Sequence, residues 1–106
     1  MVEAIISRKL TAIFYADVAG YSRLTGADEE GTHRSVMSAL DFTTETIVAR
    51  GGAVLRYAGD AVLAEFPSVV AAVESSVMIQ SSLNLQNQNI PEDRKVRIRI
   101  GINLGD

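Results

Sequence analysis

The sequence is 106 residues long, 47% hydrophobic and free of cysteine, with 10 Lys and Arg against 13 Asp and Glu for a net charge of -3. A chain of this length builds one small domain that buries roughly two-thirds of its unfolded surface. The mild acidity argues against general affinity for nucleic acid or an anionic membrane, and the missing cysteines exclude disulfides and thiolate metal sites.

The opening segment MVEAIISRKL carries Glu3 and too short an apolar stretch for a signal peptide. No run approaches the roughly 18 apolar residues of a membrane span, so the expectation is a soluble, cytoplasmic segment without membrane insertion. LTAIFYAD (10–17) is a short apolar and aromatic run that predicts a buried strand. Asp28 then offers a helix cap, with Glu29 and Glu30 in the first turn where acids complement the dipole. Val36, Met37, Leu40, Thr44, Ile47 and Val48 recur at helical spacing until RGG (50–52) ends the helix. AVLRYAGDAVLAEF (53–66) reads as two short strands around a Gly59-Asp60 hairpin turn. Pro67 is expected to open a second helix with Val70, Val73, Val77 and Ile79 as its apolar positions, and NLQNQNIPED (84–93) reads as a loop. Finally Val96, Ile98, Ile100, Ile102 and Leu104 alternate with Arg97, Arg99, Gly101, Asn103 and Gly105, the period of a strand with one buried face.

The order β-α-β-β-α-β predicts an α+β, ferredoxin-like fold, an antiparallel sheet with its helices on one face. If the first strand points up, its crossover returns the chain so that the second also points up, and the hairpin tip lies at the same end. Asp17 and Asp60 then face each other across neighbouring strands. Two carboxylates at one sheet edge form a hard-oxygen site for Mg²⁺ or Mn²⁺ acting together with substrate phosphates. Ala19 and Gly20 keep the following turn unobstructed, so that backbone N–H groups can approach phosphate oxygens. Each residue alone has a plainer use: Asp17 as a helix cap, Asp60 as turn chemistry, Tyr21 and Ser22 as packing and capping groups. His33 is expected to face solvent, Arg97 and Arg99 to lie on a solvated or interface surface, and Met37 and Met78 to fill the core.

RKLTAIFYADVAGYSRL, GGAVLRYAGDAVLAEFPSVVAAV and VRIRIGINLGD together resemble the catalytic domain of the class III nucleotidyl cyclases, bacterial adenylate cyclases in particular, over nearly the whole chain. The resemblance implies that Asp17 and Asp60 hold two Mg²⁺ or Mn²⁺ ions with the backbone carbonyl of Val18 as a further ligand. It implies that ATP is the substrate, its phosphates resting against Ala19, Gly20, Tyr21 and Ser22, and that it is converted to cyclic AMP and pyrophosphate by two-metal catalysis. It implies a homodimer, because family active sites form between two subunits.

Two departures qualify the resemblance. Family members usually carry a purine-reading Lys where this chain has Arg56, the base-binding candidate; arginine keeps the charge but replaces a compact ammonium by a wide planar fork, which bears on base selectivity. A base-reading acid and a transition-state Asn/Arg pair follow the strand matched by RIRIGINLGD in the family, beyond Asp106. The expectation is therefore that residues 1–106 form a single unit, an N-terminal portion of a cyclase catalytic domain, with metal-binding capacity but little turnover of its own and with apolar surface that favours self-association. The alternatives are a non-catalytic cyclase-like module that binds nucleotide or only dimerises, and another two-metal enzyme on the same plan, such as a diguanylate cyclase or a polymerase palm. AGDAVLAEF lacks the Gly-Gly-Asp/Glu-Glu-Phe hairpin of the diguanylate cyclases.

Overall fold

In the computed structural model, residues 11–21 and 29–105 are described; the predicted Asp28 cap and Ser22 lie outside them. The first strand, β1 (Thr11–Ala19), alternates buried Ala12, Phe14, Ala16 and Val18 with more open Ile13, Tyr15 and Asp17. This period-two pattern divides the sheet into a face packed on the described helices and an opposite face on which none of them lies. Helix α1 (Glu29–Ala49) crosses over and buries Val36, Ala39, Leu40, Thr43 and Ile47. It ends in a Schellman arrangement, with Gly52 N–H donating to the Ile47 carbonyl at 2.8 Å and Gly51 N–H to that of Val48 at 3.1 Å.

Strands β2 (Ala53–Ala58) and β3 (Ala61–Phe66) follow as the expected hairpin. Gly59 has φ 62 while Asp60 stays at negative φ, the sign pattern of a type II′ turn, which glycine enters without Cβ strain. Helix α2 (Val69–Asn87), a 3₁₀ turn (Glu92–Arg94) and β4 (Arg97–Gly105) complete the described chain. The sheet order is β2-β3-β1-β4, antiparallel throughout, and the architecture is the predicted α+β arrangement.

The core lies between the sheet and the two helices, where Phe14, Phe66, Ile47, Ile79 and Val62 are fully buried. Phe14 and Phe66 meet edge to face with ring centroids 5.5 Å apart, a geometry that the ring quadrupoles favour. The buried hydroxyls of Thr43 and Ser75 donate to the carbonyls one turn back, Ala39 and Ala71, both at 2.8 Å, so neither carries an unmade hydrogen bond into the core. Gln80 and Asn87 on α2 donate to the Ile98 and Val96 carbonyls at 2.7 and 2.9 Å, fastening the start of β4 to the helix layer.

Several local expectations are corrected. Pro67 precedes α2; Ser68 is the N-cap, its hydroxyl accepting from Ala71 N–H at 3.2 Å. The helix continues to Asn87, into the stretch read as loop. Its buried positions are Ala72, Ser75, Ile79 and Leu83, whereas Val70, Val73 and Val77 are exposed. Met37 and Met78 are exposed as well and fill no core. Because α2 is apolar on more than one side, periodicity alone does not select the face, and the side that carries the small Ala72 and Ser75 is the one that turns inward. No described helix is long and apolar enough to cross a membrane.

Candidate functional site

Asp17 sits at the last paired position of β1 against β3, opposite Ala61, so Asp60 is one residue away across the strand boundary. The Val18 N–H donates to the Asp60 carbonyl at 3.3 Å. One backbone hydrogen bond thus joins the strand end to the hairpin tip, and two acids far apart in sequence become neighbours. Asp60 is half-buried, and the Asp17 side chain is 20% exposed.

On the other side of β1, Asp17 pairs with Arg99 of β4. The residues share the face opposite the described helices, and the Arg99 guanidinium grips the carboxylate with both prongs: Nε donates to Oδ1 at 3.0 Å and Nη2 to Oδ2 at 3.0 Å. This is the fork geometry that makes Arg–carboxylate pairs specific. The hydrogen bonds that Asp17 accepts and its negative charge hold the guanidinium above its usual range, and Tyr15 and Asp60 add smaller contributions of the same sign. Arg99 therefore senses both acids. The sequence places Arg99 on a solvated or interface surface, and its side chain is indeed 69% exposed, but its partner is not legible there: the alternation in β4 gives the face, whereas the register against β1 is not readable.

Arg56 reaches the same face by an irregularity. Val54 pairs with Ala64 and Arg56 with Leu63, leaving Leu55 as the extra residue of a bulge. Leu63 in turn pairs with Tyr15, so Arg56 belongs to the row beside that of Asp17, two strands away and about 10 Å across the sheet at the usual strand spacing. Tyr57, displaced to the helix side by the same bulge, shares a 2.9 Å hydrogen bond between its hydroxyl and that of Thr44 on α1.

The phosphate-loop candidates follow β1 directly. Ala19 ends the strand opposite Arg97, Gly20 turns the chain with φ 69, and Tyr21 packs part of its ring against the core. Val18 is itself buried, at the joint between the two acids.

Among the described residues no group of three or more His, Cys, Asp or Glu side chains could hold a metal. The available donors are two carboxylates and backbone carbonyls, all hard oxygens, an incomplete set of the kind Mg²⁺ or Mn²⁺ completes with water and substrate phosphates. The donor chemistry fits such cations, and the seating of a guanidinium on Asp17 shows that this position attracts positive charge.

Comparison with known proteins sets this geometry in a family. The chain is 42% identical over 107 residues to a Rhizobium meliloti protein provisionally named adenylate cyclase 3, covering 100% of this chain and 18% of that protein. It is 30% identical over 104 residues to a Streptomyces coelicolor adenylate cyclase, covering 97% of this chain and 26% of the relative. A solved adenylate/guanylate cyclase/hydrolase from Silicibacter pomeroyi superposes with TM-score 0.79 at 33% identity, over 91% of this chain and 56% of that one. No family model matches. The fold is that of a nucleotidyl cyclase domain, and over its whole length the chain is similar to the class III nucleotidyl cyclases. It spans about a fifth to a quarter of the length of the two curated relatives.

Proposed function

We propose that residues 1–106 form one unit, an N-terminal portion of an adenylate cyclase catalytic domain, and that the parent protein converts ATP to cyclic AMP and pyrophosphate. In that reaction the ribose 3′-oxygen bonds to the α-phosphorus, the bond to the bridging oxygen of the β-phosphate breaks with its electrons on pyrophosphate, and the hydroxyl proton passes to solvent. Asp17 and Asp60 supply the carboxylate oxygens that hold two cations, and the Val18 carbonyl supplies another oxygen. Mg²⁺ or Mn²⁺, when bound, supplies charge stabilisation to both the attacking and the departing oxygen. Ala19, Gly20, Tyr21 and Ser22 present the turn after β1 to the phosphates, and Arg56 meets the purine.

The observation that carries this reading is the junction of the two acids through the Val18–Asp60 hydrogen bond of 3.3 Å; the cyclase names of the relatives support the reaction class. Family members complete the site with a base-reading acid and an Asn/Arg pair in later sequence and from a second subunit. The reading is accordingly of a homodimeric, cytoplasmic parent and of a 106-residue chain with little or no turnover alone.

The test is cyclic AMP formation by the full-length parent with Mn²⁺ and ATP, beside its Asp17→Asn variant. Product that disappears in the variant supports the reading. A folded, dimeric parent that yields no product from ATP or GTP would favour a second reading, a cyclase-like module that binds nucleotide or only dimerises; Arg56 in place of the family Lys is the feature on its side.

A further inference from the structure

We propose that Arg99 is a built-in counter-cation of the metal site, so that the guanidinium and an incoming divalent cation compete for the Asp17 carboxylate. The inference rests on the metal-binding reading of Asp17 and Asp60 and adds a control on it. Both Asp17 oxygens are engaged, at 3.0 Å each, by a single guanidinium. A dication with oxygen ligands at about 2.0–2.1 Å cannot share that edge of the carboxylate with a fork of N–H donors.

The two partners are unequally held. The Asp17 side chain is 20% exposed on a central strand, whereas that of Arg99 is 69% exposed on β4 at the sheet edge. The mobile member of the pair is therefore the arginine, which can swing into solvent while the carboxylate stays in place. The charge of Asp60 also reaches the guanidinium. In the closed form Arg99 offsets the repulsion between the two acids, which otherwise only a bound cation would relieve.

An exposed ion pair keeps a closed-to-open ratio between about 1 and about 5, so removing the competitor tightens metal binding roughly two- to sixfold. Repulsion between the dication and the retained guanidinium acts in the same direction.

The test is a nucleotide-free Mn²⁺ titration of the 106-residue chain, with free ion read by electron paramagnetic resonance, for the unmodified protein and for Arg99→Gln, Arg97→Gln and Asp17→Asn. Arg97 lies on the same face but pairs with Glu92, so its variant removes an equal charge without opening Asp17. The expected result is binding two- to sixfold tighter in Arg99→Gln, little change in Arg97→Gln, and strong weakening in Asp17→Asn. Equal tightening in both arginine variants would reduce the effect to net charge and overturn the proposal. Unchanged or weaker binding in Arg99→Gln, with Asp17→Asn still impaired, would overturn it while leaving the metal reading intact. Absence of Mn²⁺ binding in every variant would remove both. Should Arg99→Gln fold poorly, the Arg99 Nε–H resonance of the unmodified chain decides: it shifts as Mg²⁺ is added if the pair opens, and a resonance that stays put while Mg²⁺ binds refutes competition.

Discussion

Replacing Gly52 with alanine tests how tightly α1 is docked against β3. An added Cβ would lie 2.7 Å from Ile47 Cγ2, 2.7 Å from Phe66 Cε2 and 2.9 Å from Phe66 Cζ. Ordinary carbon contacts are about 3.5–4.0 Å, so roughly 1 Å must be found. Neither neighbour can yield into solvent, because Ile47 and Phe66 are both 0% exposed, and Phe66 is held against Phe14. Overpacking of this kind costs about 1–3 kcal/mol. The loss of unfolded-state freedom on going from Gly to Ala returns about 0.4–1 kcal/mol. The net is destabilisation by about 1.5 kcal/mol, which for a domain of this size lowers Tm by about 7 °C. Thermal unfolding followed by circular dichroism measures it, and the Phe66→Leu background supplies the control: with the ring gone, part of the Gly52→Ala cost should vanish. A Tm unchanged within error, or a cost that is fully additive with Phe66→Leu, would refute the steric argument.

Two further outcomes are expected. If Asp17 and Asp60 act as one metal site, Asp17→Asn and Asp60→Asn each weaken Mn²⁺-nucleotide binding by similar amounts and the double variant adds little, as isothermal titration calorimetry would record; additive effects would mean independent sites. Ser68→Ala removes the hydroxyl that accepts from Ala71 N–H at 3.2 Å and should lower stability by about 1 kcal/mol in urea unfolding, whereas Ser68→Asp should retain most of it.

The element order was legible because each element declares itself locally. The run ending at Asp17, the Gly59-Asp60 turn and the alternation from Val96 to Leu104 are short-range patterns, and from them the crossover rules bring the two acids to one end of the sheet. Helix α2 was legible as a helix but not in its orientation. Its valines advertise the wrong face, and only packing shows that Ala72, Ser75, Ile79 and Leu83 turn inward, because close approach to a sheet rewards small side chains as much as apolar ones.

The candidate site divides along the same line. Asp17 and Asp60 could be paired from the sequence because topology alone brings strand end and hairpin tip together. Arg99 could not be assigned to Asp17, since strand register is a long-range property set by how β4 docks on β1 and α2, through such contacts as Gln80 with the Ile98 carbonyl. Nor could Arg56 be placed, because the bulge at Leu55 shifts every residue after it in β2 by one side of the sheet. The sequence by itself thus determined the order of elements and the meeting of the two acids, which follow from local periodicity and chain handedness. Only the tertiary structure decided which cation stands against Asp17 and which face carries Arg56, because a one-residue change in register reverses every side chain in a strand.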